Sequence, residues 1–454
     1  MIERESMPCD VLVVGGGPAG LAAAIRLKQI NEELEVVVLE KGSEIGAHIL
    51  SGVVHDPKAL NELFPDWQDM DCPIGDVPVT DNWHWVLRKN GKFPMPHAFM
   101  PPLMSNKGNY TGSLANLTRW LGEQAEGLGV MVFPGFPAAE VIYGDDGSVA
   151  GVITQDMGIA ADGSQKPDFQ PGMEIHAKYT LFAEGARGSL TKQLKAKFDL
   201  EKDCQPQTYG LGIKELWEID PKKHVPGRVI HTQGWPLDND SWGGGFLYHI
   251  GDNQVALGFV TALDYANPYL SPYQEFQRWK HHPDILDIIE GGKRVAYGAR
   301  VINEGGWQSV PQLAFPGGAL VGCSAGFVNV PRIKGSHTAM KSGMLAAESV
   351  AAAIAAGKEH TQLSEYDEAV RESWIATELK KVKNAQPAIA KLGGDFGTVL
   401  AGIDMWMRTL KIGLPFTLKH TPDYTHTKRA DLFDPIIYPK PDGVISFDRL
   451  TSVA

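Results

Sequence analysis

The chain has 454 residues, 43% of them hydrophobic and 21% charged, which suits a folded protein with two or three packed regions and a large core. A net charge of −12 argues against nucleic acid as a partner, because neutralising a phosphate backbone needs a basic surface. The four cysteines, Cys9, Cys72, Cys204 and Cys323, have no zinc or iron–sulfur spacing and fit a reducing compartment better than a disulfide scaffold.

The opening, Met1 to Asp10, carries Glu3, Glu5 and Asp10 and no apolar run, so it reads as neither a signal peptide nor a transit peptide. This points to a bacterial, cytoplasm-facing chain or to one already processed. Val11 to Val14 then form a short apolar run expected of a buried parallel strand. Gly15-Gly16-Gly17-Pro18-Ala19-Gly20 follows and satisfies G-x-G-x-x-G. In that pattern Gly15 permits the tight turn, Gly17 the close approach of a pyrophosphate, and Gly20 the packing of helix on strand. An alanine-rich helix (Leu21, Ala24, Ile25), a polar break near Asn31 and a second strand from Val36 to Leu39 complete a βαβ unit. Glu40 ends that second strand, where a carboxylate can accept hydrogen bonds from ribose hydroxyls. Pro18 and Ala19 open the helix, whose N-terminal amides and dipole favour phosphate.

Further along, two strand-like runs between Ala138 and Ile153 flank Asp145-Asp146-Gly147 and predict a hairpin. Tyr179 to Ala183 predicts another buried strand, followed by the small turn Glu184-Gly185-Ala186. Residues 206–289 change character: aromatic strand-like segments alternate with Gly, Pro and Asn, predicting an antiparallel sheet inserted into the α/β framework. The framework returns at Gly318 to Val321, with Gly322-Cys323-Ser324-Ala325-Gly326 as a second strand–glycine–helix approach. A long helix follows, with Met340, Met344, Ala347 and Ile354 on one face. The two late glycine segments favour FAD over NAD, because a flavin is long and needs contacts near its ribityl chain and ring.

No segment reaches the roughly 18 uninterrupted apolar residues of a membrane-crossing helix. Two could lie on a membrane. Phe396, Val399, Leu400, Ile403, Met407, Leu410 and Leu414 fall on one helical face, with Trp406 beside it and Arg408, Lys411 and Lys419 flanking. Taken alone, that face suits a buried core at least as well. The second, Phe93 to Met104, is apolar but too rich in proline for a helix and harder to hide in a core.

Longer stretches carry a more specific signal. Glu40-Lys41 with Ile45-Gly46-Ala47-His48 and Leu50-Ser51-Gly52, Trp242-Gly243-Gly244 with Phe246-Leu247-Tyr248-His249, and Asn267-Pro268-Tyr269-Leu270-Ser271-Pro272 belong to this set. So do Glu275 to Pro283, Asn329-Val330-Pro331, Lys334 to Gly343, and Tyr438-Pro439-Lys440-Pro441-Asp442-Gly443. Together they cover essentially the whole chain, which resembles the electron-transfer flavoprotein:ubiquinone oxidoreductases. The resemblance implies an FAD-binding Rossmann-like domain of the glutathione-reductase type, with an inserted antiparallel-sheet quinone domain. It implies an enzyme that passes electrons from reduced electron-transfer flavoprotein through FAD to ubiquinone.

The expected organisation is an FAD domain from 1–205 and 290–385, with an apolar membrane loop at 86–107. The quinone sheet then spans 206–289, an amphipathic membrane-surface helix spans 386–420, and 421–454 begins a truncated iron–sulfur tail. Lys41, Gly46, Ala47 and His48, with Glu184, Gly185, Gly322, Ser324, Gly326 and Asn329, join the glycine turn and Glu40 as expected FAD contacts. The resemblance implies that ubiquinone approaches Gly243 and Gly244, and consecutive glycines permit that close approach and leave backbone groups open to a carbonyl. No residue is assigned as general acid or nucleophile, because the flavin carries the redox change.

The family also uses a [4Fe–4S] cluster, held by four cysteines in a ferredoxin-like tail, and no matching cysteines occur here. The expectation is a truncated ubiquinone oxidoreductase. A related flavoprotein paired with a separate ferredoxin, an FAD monooxygenase or prenyl reductase, and a non-catalytic FAD-binding fragment are the alternatives. Location on the cytoplasmic face of a bacterial inner membrane, without spanning it, completes the reading.

Overall fold

The computed structural model describes residues 3–49 and 52–450, so Leu50 and Ser51 of the motif above lie outside the described residues. Strand Ser6–Val14 lies between Val36–Glu40 and Glu174–Phe182, parallel to both. Met131–Pro134 extends this sheet on one side and Gly318–Leu320 on the other, again in parallel. Val11, Leu12 and Val13 are fully buried, as are Val36, Val37 and Val38. A strand covered on both faces reads as an unbroken apolar run for this reason. Helix Pro18–Ile30 packs on Leu114–Gly127 and on Ser336–Ala355. The hairpin expected around Asp145-Asp146-Gly147 is formed by Ala138–Tyr143 and Val149–Thr154, and Gly147 takes the left-handed conformation its turn needs.

The second sheet has seven strands and reaches beyond residues 206–289 at both ends. Its order runs Lys293–Asn303, Tyr209–Glu218, Gln254–Ala262, Gly243–Ile250, Arg228–Gly234, Asp81–Arg88, Gly91–Pro94. All neighbours are antiparallel except Arg228–Gly234 with Asp81–Arg88, which run parallel. A local pattern search misses Asp81–Arg88 and Lys293–Asn303 because the strands they join lie far away in the chain. One face of this sheet, with Leu87, Ile230, Leu247, Leu257 and Phe259, packs under helix Pro272–Lys280 through Phe276 and Trp279. Burying each such aromatic contributes roughly 1.5–3 kcal/mol. The indole N–H of Trp279 donates to Thr232 Oγ1 at 3.0 Å, so the buried ring leaves no orphan donor. The segment from Tyr438 to Phe447 docks on the same layer: Tyr438 Oη donates to Glu275 and the Phe447 amide donates to Gln277.

The other face of the second sheet looks toward the carboxyl ends of the parallel strands. Ligands bind at those ends in open α/β sheets.

Candidate cofactor and quinone site

One continuous cavity of about 2250 Å³ separates the two sheets. It exceeds the roughly 300–1,000 Å³ of a site for one drug-sized ligand and has room for a dinucleotide and a second molecule. At one end lies the glycine turn. Gly15 has φ +114°, a conformation L side chains rarely adopt, and a Cβ there would sit 2.5 Å from the carbonyl oxygen of Ala183. A Cβ on Gly20 would meet the Gly15 oxygen at 2.0 Å, which is the close helix–strand packing the motif predicts. Over Gly17 there is open space. No side chain caps the helix that begins at Pro18, so its first amides remain available to an anion.

Glu40 accepts hydrogen bonds from the amides of Gly16 (3.0 Å) and Gly42 (2.6 Å), which fixes its carboxylate at the rim of the cradle. His48 Nδ1 lies 3.8 Å from Glu40 Oε1. Lys41, Gly46, Ala47 and His48 all line the cavity, as do Gly15, Gly17, Pro18, Glu184 and Gly185. A second uncapped helix N-terminus, Ser336–Ala355, reaches the same cavity through Lys334, Gly335 and Ser336. Open space over the turn, uncapped amides and a length that joins both sheets fit an FAD.

Several expected contacts have other duties. The Glu184 carboxylate caps helix Ser189–Lys197, accepting from the amides of Leu190 and Thr191 and from the Thr191 hydroxyl, so only the turn itself faces the cavity. Ala19 and Gly20 pack inside the helix–strand joint. Gly322, Ser324, Gly326 and Asn329 do not line the cavity; Cys323, Val328 and Val330 of the same loop do. Asn329 is fully buried and ties the loop to helix Trp374–Val382 by donating to Glu378 at 2.8 Å. Left-handed turns at Gly322 and Gly326 direct alternate residues inward, and a glycine motif alone does not reveal which ones.

Gly243 and Gly244 both line the cavity. The ladder between Arg228–Gly234 and Gly243–Ile250 ends at Thr232–Gly245, just short of the pair. A Cβ on Gly243 would sit 2.1 Å from the Val260 oxygen, and one on Gly244 2.1 Å from the Thr232 oxygen. The pair is therefore required by the sheet itself, and a valine at both positions would break the fold before it tested any ligand.

The composition gave no sign of the polar groups on the cavity wall. Lys214 donates to the Gly52 carbonyl at 3.2 Å, and burial pushes its pKa down to about 8. Lys334 donates to Asn106 Oδ1 at 2.6 Å; burial and then Arg332 push its pKa to about 7. Burial, reinforced by Asp264 and Asp423, holds Glu304 well above the ordinary carboxylate range. Among the described residues, no group of His, Cys, Asp and Glu is placed to hold a metal ion.

A dinucleotide cradle on a parallel sheet, facing a second sheet across one long cavity, defines a flavin-dependent oxidoreductase. Residues 13–64 match the NAD(P)-binding Rossmann-like domain, and residues 209–302 match the ubiquinone-binding domain of ETF-QO. The chain is 52% identical to the mitochondrial electron transfer flavoprotein-ubiquinone oxidoreductase of Homo sapiens, over 100% of this chain and 75% of that protein. It is also 52% identical to its counterpart in Pseudomonas aeruginosa, over 100% of this chain and 83% of that one. The chain belongs to the electron transfer flavoprotein-ubiquinone oxidoreductase family. In fold it is similar to a geranylgeranyl bacteriochlorophyll reductase-like protein of Thermoplasma acidophilum, with TM-score 0.66, 18% identity and coverage of 88% and 92%. A flavin-dependent brominase is similar at TM-score 0.59 and 16% identity, with coverage of 89% and 92%.

Proposed function

We propose that the protein passes electrons from reduced electron-transfer flavoprotein to ubiquinone while resting on a membrane surface. The observation that carries this reading is where the cavity opens. Its wall beyond the second sheet is built by Met95, Phe99 and Met104 from the proline-rich loop and by Val399, Ile403 and Trp406 from helix Gly394–Thr409. Trp406 Nε1 donates to the Phe99 carbonyl at 3.1 Å and joins the two segments. Phe93, Phe99, Phe396, Val399, Ile403, Leu410, Ile412 and Phe416 are all exposed on these two segments and the stretch that follows the helix. A contiguous apolar rim is a costly surface in water and marks an interaction site. An interfacial helix with the exposed Lys411 just past its end suits a bilayer surface. No helix among the described residues is long and apolar enough to cross a membrane.

An isoprenoid tail entering between the loop and the helix would lead its ring to the cavity face of the second sheet. There the ladder with Arg228–Gly234 stops short of Gly243 and Gly244, and Trp242 Nε1 beside them is a buried donor with no partner among the described residues. Such an orphan costs about 1–3 kcal/mol unless an acceptor arrives, which a quinone carbonyl supplies. Bound FAD would supply electron transfer in single steps and in pairs. The residues do the positioning: Gly15 to Pro18 receive the pyrophosphate, Glu40 the ribose, and Gly46 to His48 flank the route to the second sheet.

Anaerobic reduction of the flavin-loaded protein, followed by mixing with a short-chain ubiquinone and separately with liposomes, tests the reading. Flavin reoxidation by the quinone and cosedimentation with liposomes are expected; a reduced flavin that the quinone leaves untouched would sink the quinone assignment.

A further inference from the structure

Reducing a quinone to a quinol takes two protons as well as two electrons, and the cavity must deliver both. The wall beside the glycine pair is largely apolar, with Val86, Phe246 and Val260, yet three groups able to carry protons and one amide interrupt it. His84 and His231 are register partners on neighbouring parallel strands, with ring centroids 6.4 Å apart. His231 Nε2 lies 2.9 Å from Tyr248 Oη. His84 Nε2 lies 3.3 Å from the side-chain oxygen of Gln233. Gln233 stands two residues beyond His231 and next to Thr232, where the ladder with the glycine strand ends. All four line the same cavity as Gly243 and Gly244. Polar groups set into an apolar pocket wall usually fix orientation or chemistry.

We propose that His231 and His84, linked to Tyr248 and Gln233, form the proton-donating group for a quinone seated at Gly243 and Gly244. The proposal rests on the quinone site proposed above. In each transfer an imidazole first takes a proton from solvent as the quinone becomes anionic; an imidazolium N–H bond then breaks, its electron pair stays on nitrogen, and the proton forms an O–H bond at a quinone oxygen. This leaves a neutral imidazole, ready to take the next proton from hydronium that reaches the cavity from bulk solvent. Two such transfers, with the two electrons of the reaction itself, convert the quinone to the quinol.

Burial sets the timing. It favours the neutral form of both imidazoles in the resting site, and the Lys334 ammonium presses His231 further the same way, as His84 would once charged. The groups facing His231 are thus one cation, one imidazole and the Tyr248 phenol. Negative charge arriving on the quinone reverses the balance, because an anion in a low-dielectric site raises a neighbouring imidazole's affinity for a proton. Proton uptake is thereby tied to electron arrival.

The test uses flavin-loaded wild type, His84→Gln with His231→Gln, and the milder Tyr248→Phe, each reduced anaerobically. Every sample is mixed with a short-chain ubiquinone, or with ferricenium, which accepts an electron and needs no proton. The expected result in the double variant is a fall of about a hundredfold or more in the ratio of quinone to ferricenium reoxidation rates, the lower end of general acid catalysis. The quinone rate should also lose its wild-type pH profile and show a larger solvent deuterium effect, with half-saturation little changed. Should the double variant lose flavin, Tyr248→Phe carries the same test, with a smaller fall expected. An unaltered ratio and pH profile, or a change in half-saturation alone, would overturn the proposal while leaving the quinone site standing. Wild type that reoxidises with ferricenium but never with quinone would overturn both.

Discussion

Gly20 illustrates how little room the glycine turn leaves. A Cβ at this position would press to 2.0 Å on the Gly15 oxygen and to 3.0 Å on a Val13 methyl, and backbone cannot yield as a flexible side chain can. Gly20→Val should therefore push the helix off the strand and misalign the amides meant for phosphate. We expect a loss of about 2–3 kcal/mol of stability, typical of overpacking, and purified protein that is colourless. Flavin absorbance and thermal unfolding check both; a yellow, wild-type-stable Gly20→Val would remove the close-packing argument. The residue scale is also where legibility was most uneven. Gly15, Gly17 and Gly20 were readable because each performs a backbone task only glycine performs well. Asn329 and Ser324 do not line the cavity, because a motif gives spacing, whereas facing the cavity depends on the left-handed turns at Gly322 and Gly326. His84, His231 and Lys214 were not singled out, since a lone histidine or lysine in a strand looks like any other.

At the level of elements, the strands of the first sheet could be read from their unbroken apolar runs, and the second sheet only in its middle. Asp81–Arg88 and Lys293–Asn303 belong to it through pairing that no local pattern announces. Helix Gly394–Thr409 shows the same limit in another form. Its apolar spacing was evident, but spacing alone could not say whether core or lipid lay opposite. In the fold Gly397, Ala401, Asp404 and Met405 are its buried side, and the larger Phe396, Val399 and Ile403 point outward. The small residues let the helix sit close against Ala385–Leu392, and the large ones remain for another surface. Replacing Val399 and Ile403 together by Asp places two charges on that mostly exposed outer face, at positions more than half exposed. We expect liposome cosedimentation to fall at least tenfold, since each charge repels an anionic surface by about 1 kcal/mol. Flavin content and melting temperature should stay close to wild type. Unweakened liposome binding in this double variant would transfer the membrane role elsewhere.

For the molecule as a whole, the question is what holds the two sheets at a fixed distance across so large a cavity. Two cations span it. Arg300 on the second sheet donates to the His48 carbonyl, and Lys214 donates to the Gly52 carbonyl at 3.2 Å. Lys214 makes this bridge at a cost, because burial pulls its pKa from 10.5 to about 8. The unfolded chain binds the proton more tightly than the folded one, so wild-type stability should rise with pH between about 8 and 10.5 as the folded lysine becomes neutral first. Below about 8 the full penalty is present. Lys214→Met removes both the penalty and the hydrogen bond, and an exchanged hydrogen bond is worth only about 1 kcal/mol. The flavin-free variant should therefore be more stable than flavin-free wild type at pH 7 by about 1–2 kcal/mol, a net of opposing terms. That advantage should shrink steadily from pH 8 and disappear or reverse by pH 10.5. Urea unfolding at pH 7, 9 and 10.5 measures it directly. A gap that stayed constant with pH would mean that Lys214 keeps its charge in the folded cavity, and that bridge geometry, not the burial of a cation, sets the stability of the joint.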